Sequence, residues 1–453
     1  LSYSGSTWSQ LGSDINGEGA GDQSGTSVSL SADGRTVAIG AIYNDAGNAS
    51  DDDRGHVRIY NIDSTYNTGD TITAGVVFSE PVNITNTPIF NVLTNIDDNI
   101  KQFAYVSGDG TNVLYFTKTI SAGENIDPLK LLNSTQPTLT GTGTIKDSAS
   151  NDAVLTLSSD ITFHSVIIAT APTISYIFSQ LDSTIPYSAW SQLGLNIDGD
   201  VADDKFGFSV SLSADGRTVA IGAHLNDGNG ADSGHVRIYT YNSGATPAWQ
   251  QLGQKIDGEA VGDKSGREVS LSADGRTIAI GEHRNNNDKG QVRIWTYNSG
   301  NNTWELLGSA IVGEATNDES GIAVSLSADG RTVAIGAHLN DGNGADSGHV
   351  RIYSYNSGTS AWAQLGSDID GEGAGDQSGI SVSLSADGRT VAIGAHLNDG
   401  NGADSGHVRI YSYNSGTSAW AQLGSDIDGE GAGDQSGISV SLSADGRTVA
   451  IGA

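Results

Sequence analysis

Asp368-Ile-Asp370-Gly-Glu372-Gly-Ala-Gly-Asp376 places side-chain oxygens at positions 1, 3, 5 and 9 of a nine-residue loop, with glycine at position 6. Carboxylates at that spacing can wrap Ca2+, a hard cation that takes about six to eight oxygen ligands. The pattern returns as Asp14, Asn16, Glu18 and Asp22, and again as Asp426, Asp428, Glu430 and Asp434. Asn196, Asp198, Asp200 and Asp204 form a fourth version that lacks the glycine. A fifth keeps Asp257, Glu259 and Asp263 but has Lys255 at position 1, and a sixth has Ala310 and Val312, leaving Glu314 and Asp318. Ca2+ is therefore the expected cofactor of the intact loops. The alternative is that these acids are solvated turn residues, and the Ala310 version implies that not every unit needs a metal to fold.

Other residues offer less chemistry. Trp8, Trp190, Trp249, Trp304, Trp362 and Trp420 could stack on sugars, but their fixed place in a strand suits filling the gap between neighbouring sheets. His396 and His407 come singly, without a second ligand at metal spacing. No nucleophile elbow, zinc-protease helix, phosphate-cradling loop or dinucleotide fingerprint occurs. Only Glu268, Glu282 and Arg284, in the most divergent unit, are candidates for a catalytic centre.

The elements that position these loops are repeated. Gly379-Ile-Ser-Val-Ser-Leu-Ser-Ala-Asp-Gly-Arg-Thr-Val-Ala-Ile-Gly-Ala395 recurs, little altered, from Gly25, Gly207, Gly266, Gly321 and Gly437, and residues 338–395 and 396–453 are identical. Trp362–Leu365 reads as a short strand, and Ile380–Ser385 alternates as a half-buried strand does. Ala386–Arg389 is a tight turn, Val391–Ala395 a strand, and His407–Tyr411 a third strand beyond the loop Asn398–Ser405. Strands meandering in this order throw the acidic loop and the Asn-Asp-Gly-Asn-Gly loop to one face. The Ala-Asp-Gly-Arg turns and Tyr-Asn-Ser-Gly links then share the other.

A net charge of −31 argues against nucleic acid and anionic membranes as partners. No apolar run is long enough to span a bilayer, and no targeting segment is visible. Beginning at Leu1 and lacking methionine, the sequence is expected to be a processed product or part of a longer chain. Cysteine is absent, which removes disulfides and thiolate sites.

At Gly-x-Ser-Val, Val-Ala-Ile-Gly-Ala and Gly-His-Val-Arg-Ile-Tyr the chain resembles the FG-GAP repeats of integrin alpha-subunit propellers. Lys205-Phe206-Gly207 keeps the Phe-Gly of that family. The resemblance implies an all-β fold, a β-propeller of four-stranded blades over residues 1–63 and 187–453. Six blades are visible, against seven in integrin rings. The family holds Ca2+ between its first two strands, where this chain has only Ser-Ala-Asp-Gly-Arg, so the family's ligands do not carry over. Trp190 follows Trp8 by 182 residues, whereas later tryptophans are 55 to 59 apart. Residues 64–186 are thus an insertion. Gly69–Asn83, Tyr105–Phe116 and Thr144–Asn151 are similar to bacterial Ig-like adhesin modules, which implies a β-sandwich and a tether.

These resemblances and the one-sided charge give the expectation of a non-enzymatic, secreted or cell-surface adhesion module. It would be Ca2+-stabilised and would present its acidic loops to a protein or glycan. A structural filament protein, self-assembling through an incomplete terminal blade, is the alternative, and a polysaccharide-active enzyme comes third.

Overall fold

The computed structural model describes residues 2–4, 7–45, 53–62, 71–85, 89–93, 100–119, 138–140, 144–146, 174–180, 190–243 and 248–453. They fall into two compact units, Leu1–Ser13 with Ile62–Ala189, and Asp14–Asn61 with Trp190–Ala453.

In the first unit the strands Thr138–Thr140, Ile89–Leu93, Ile100–Ser107, Thr111–Thr119, Thr71–Thr85 and Thr144–Lys146 lie side by side in that order. Ile174–Gln180 also pairs with Thr71–Thr85. Val82, Leu114 and Phe116 are fully buried. Ser2–Ser4 and Thr7–Ser9 pair as a separate hairpin, and the described residues do not show the two facing sheets of the Ig-like sandwich expected here.

The second unit repeats one antiparallel sheet five times, an arrangement consistent with a propeller. The first sheet runs Ser24–Leu30, Thr36–Ala41, His56–Ile62, Trp190–Gln192. Next come Ser209–Leu212, Thr218–Ala223, His235–Asn242, Ala248–Gln251, and then Glu268–Leu271, Thr277–Glu282, Gln291–Asn298, Thr303–Leu306. The fourth is Ala323–Leu326, Thr332–Ala337, His349–Asn356, Ala361–Gln364, and the fifth Ser381–Leu384, Thr390–Ala395, His407–Asn414, Ala419–Gln422. Ser439–Leu442 and Val449–Gly452 pair as a last two-stranded sheet.

From Trp190 onward each landmark tryptophan strand thus closes the sheet of the unit before it, as Tyr355 opposite Trp362 shows, whereas the Trp8 strand pairs with Ser2–Ser4. The tight Tyr-Asn-Ser-Gly link permits nothing else, because a short hairpin joins antiparallel neighbours. A further two-residue strand lies in each acidic loop after the first. Ile369–Asp370, for example, pairs with His349 and Val350.

Apolar residues of successive sheets form the core. Val236 and Ile238 pack with Val269, Leu271, Ile278, Ile280 and Trp304, and burial of side chains this size stabilises by about 1.5–3 kcal/mol each. Polar groups fix the register. Leu384 N–H donates to Ser325 Oγ (2.9 Å), and Ala328 N–H to the Ala386 carbonyl (2.9 Å). Trp362 and Trp420 donate from Nε1 to the carbonyls of Leu307 and Leu365 at 2.7 Å. These are the structural tasks that the repeated serines, alanines and tryptophans perform. Gly394 shows how closely sheets approach, since a Cβ there would lie 2.0 Å from the Gly437 carbonyl oxygen. Both groupings of loops by face are seen: Asn343 Nδ2 donates to the Gly371 carbonyl (2.9 Å), and Tyr355 N–H to the Arg331 carbonyl (2.8 Å).

Candidate functional site

The acidic loops divide their carboxylates among separate tasks. Position 9 is an internal cap. Asp376 Oδ2 accepts from Gly373 N–H (2.9 Å) and Asn398 Nδ2 (2.9 Å). Asp22 repeats this with Gly19 and Asn44, and Asp318 with Ala315 and Asn340. Asp263 accepts from Ala260 N–H, Asp434 from Gly431 N–H, and Asp204 from Asn226. Burial holds the Asp204 carboxyl above the usual range.

Position 5 faces a buried arginine. Glu314 and Glu372 lie 3.5 and 3.6 Å from Arg351 and Arg409, Asp200 lies 3.0 Å from Arg237, and Glu18 and Glu259 lie 3.9 Å from Arg58 and Arg293. The same arginines donate to the position-3 carbonyls of Asn16, Asp198, Asp257, Val312 and Asp370. The backbone at position 3 is what the arginine uses, and valine supplies it as well as aspartate. This explains why the Ala310 loop keeps Glu314 and Asp318 and loses the rest. Side chains of Asp14, Asn16, Asp198, Asp370, Asp428 and Glu430 are exposed, and Asp257 pairs with Lys255 (3.0 Å).

Position 1 reaches across to the preceding loop. Among the described residues, the groups of three donor side chains within 4.8 Å are Glu314–His349–Asp368 and Glu372–His407–Asp426. The four oxygens of a single loop do not converge in this way.

The divergent third sheet builds a different site. Glu282 is fully buried and is bound by Gln291 (2.6 Å) and by Arg293, so it faces no cavity. Arg267 and Arg284 instead line a pocket of 250 Å³ with Lys264, drawing on four successive sheets. His224, His283 and His338 complete its polar wall, Ile322 and Ile380 its apolar wall.

Arg284 is paired with Glu319 (3.0 Å) and Asp288 (3.1 Å). Arg267 lies over the Phe208 ring, 5.2 Å from its centre, and its Nε is buried without a partner. Neither Arg267 nor Lys264 makes a direct ion pair among the described residues, although Glu268 and Glu319 lie near enough to Arg267 to favour its charge. Burial, reinforced by Arg267 and other neighbouring cations, pushes the imidazoles of His224, His283 and His338 down to about 3, about 2 and about 4. They are neutral at pH 7. The end of the unit that carries the acidic loops thus contains a cationic hollow, which the charge count of other units does not suggest. What marks it in the sequence is Arg267 and Arg284 replacing the Ile380 and Leu397 of the common phrase.

FG-GAP repeats match residues 197–239, 313–353 and 369–411. No curated protein matches the chain. Among solved structures, the chain is similar to the periplasmic gluconolactonase of Pseudomonas aeruginosa, with 14% identity, 95% of this chain and 88% of that chain covered, and a TM-score of 0.37. It is also similar to a protein assigned as a 6-phosphogluconolactonase from Bacteroides uniformis, with 10% identity, coverage of 94% and 88%, and a TM-score of 0.39. Hydrazine synthase of Kuenenia stuttgartiensis is a third, with 11% identity, coverage of 97% and 98%, and a TM-score of 0.37. Likeness at this level assigns no activity to this chain. The expectation of a non-enzymatic adhesion module is corrected to this extent: the similar structures are named as gluconolactonases and a hydrazine synthase, not as adhesion proteins, and they assign this chain no activity in either direction. The acidic loops expected to face a partner have their position-9 carboxylates, and those at position 5 other than Glu430, engaged by the chain's own groups. Among the described residues no helix is long and apolar enough to cross a membrane.

Proposed function

We propose that the pocket between Arg267, Lys264 and Arg284 binds a small molecule bearing a carboxylate or phosphate. The observation that carries this reading is the partly buried Arg267, whose Nε has no hydrogen-bond partner and which, with Glu268 and Glu319 as its neighbouring carboxylates, makes no direct ion pair among the described residues. Buried charges in proteins are normally paired, and an unpaired one is costly to keep. An entering anion supplies the missing partner, and planar guanidinium suits carboxylate and phosphate alike.

The neutral histidines support the same ligand. Nδ1 of each is buried without a partner, which favours the tautomer carrying hydrogen on Nε2, a donor on the open side. A volume of 250 Å³ is just below the usual range of ligand cavities, about 300–1,000 Å³, and suits a ligand of monosaccharide size. Glu319, the lining carboxylate, leaves the wall cationic because Arg284 neutralises it.

Calorimetric titration with glucose 6-phosphate, gluconate and neutral glucose tests this. Binding of either anion is expected, with affinity at least about tenfold lower in Arg267→Gln and falling as salt rises. Equal binding of glucose, or anion binding indifferent to Arg267→Gln and Lys264→Gln, would overturn the reading.

A further inference from the structure

At two junctions between loops an imidazole nitrogen faces two carboxylates with no hydrogen bond between them. At the first, Nδ1 of His349 lies 3.9 Å from Glu314 Oε2 and 3.9 Å from Asp368 Oδ2. At the second, Nδ1 of His407 lies 3.9 Å from Glu372 Oε2, and Asp426 completes the group. Both histidines are 1% exposed. Their Nε2 atoms are buried without a partner, and their Nδ1 atoms face oxygens beyond hydrogen-bond reach. The carboxylates are already oriented. Arg351 and Arg409 flank Oε1 of the glutamates, while Gln364 and Gln422 donate to Oδ1 of Asp368 and Asp426. For Glu314, Asp368 and Glu372 the remaining oxygen is the one nearest the imidazole.

The equivalent junctions carry a nitrogen donor of their own. Asn196 places its amide nitrogen 3.4 Å from Glu18 Oε2 and 3.5 Å from His56 Nδ1. Lys255 brings its ammonium charge to His235. Gln291 replaces the histidine outright and donates to Glu259 at 2.9 Å. An amide reaches the glutamate at Asn196 and Gln291, whereas His235, beside Lys255, keeps both ring nitrogens buried without a hydrogen-bond partner. At His349 and His407 the chain brings neither an amide nor an ammonium to the imidazole-facing oxygens.

We propose that the Glu314–His349–Asp368 and Glu372–His407–Asp426 clusters each bind a divalent transition cation, with Zn2+ the member that fits the donors best. An imidazole nitrogen with two carboxylates is a donor set for such ions, whereas Ca2+ prefers oxygen alone. Bonds of about 2.0–2.2 Å require the three atoms to draw closer, and the exposed glutamates have room to move. The ion suited to this face therefore differs from the Ca2+ that loop spacing suggests. The site shares no residue with the anion pocket.

The whole chain, stripped with chelator and titrated with Zn2+ alone, is expected to take two equivalents and to melt at a higher temperature when loaded. His349→Gln, which installs the residue found at position 291, is expected to take one, and His349→Gln with His407→Gln none. Asp368→Asn with Asp426→Asn copies the Asn196 junction. It is expected to bind Zn2+ at least about tenfold more weakly while keeping the wild-type midpoint in chelator. Failure of the wild-type chain to bind Zn2+, retention of both equivalents by His349→Gln with His407→Gln, unchanged affinity in Asp368→Asn with Asp426→Asn, or equal displacement by Ca2+ would each overturn the proposal.

Discussion

Asp376 illustrates how spacing can mislead about a carboxylate. Its place in an Asp-x-Asp-x-Glu series reads as a metal ligand, yet its Oδ2 holds Gly373 N–H and Asn398 Nδ2. Sequence gives the interval between oxygens but not the direction in which each turns. The arginine that claims Glu372 lies 37 positions further on, at Arg409. Asp376→Ala leaves two donors unsatisfied, one of them on a buried asparagine, and is expected to cost about 1–3 kcal/mol in urea unfolding. A change within a few tenths would show that water replaces the carboxylate without loss. The cationic pocket was only partly legible. Arg284 stands out as a departure from the repeat, and the pairing of Glu268 with Gly281 brings it to Arg267 within one sheet, but the closing of the pocket by His224 and His338 depends on neighbouring sheets.

At the scale of elements the strands themselves were legible, because alternation and the Ala-Asp-Gly-Arg turn mark them in every copy. Their allegiance was not. Periodicity finds the Trp362 strand but does not say that it completes the preceding sheet, a fact set by the link at Asn356–Ser360. The two-residue strand Ile369–Asp370 is too short for any period to reveal. Close packing between sheets makes a sharp distinction between glycines. At Gly394 a methyl group would strike the backbone of Gly437, whereas Gly375 has φ +90° and open space around its Cβ position. Gly394→Ala is therefore expected to lose about 3 kcal/mol or more, and Gly375→Ala about 1–2 kcal/mol, when their denaturation midpoints are compared. Equal losses would contradict the sheet spacing.

For the whole molecule, buried titrating groups set the response to acid. His224, His283 and His338 keep folded values well below the ordinary 6.5, so below pH 6.5 the unfolded chain takes up protons that the folded chain refuses. Stability is full above pH 6.5 and falls with pH, by about 1.4 kcal/mol per unit for each such histidine. Glu268, pushed up to about 7 by burial, has the opposite sign, and its contribution is lost as pH rises from 4.5 through 7. Glu268→Gln is expected to stabilise the fold on the order of 2 kcal/mol at pH 8, with the two proteins converging near pH 4.5 in pH-resolved melts. A constant gap at every pH would dissociate Glu268 from this behaviour. One consequence follows from the identity of residues 338–395 and 396–453. Excising either copy joins Ala337 to the same histidine-led sequence it already precedes, so no new junction has to be invented and one Glu–His–Asp cluster disappears with the copy. A gene carrying such a duplication can shorten or lengthen by recombination in whole steps, each product inheriting contacts already proven in its parent.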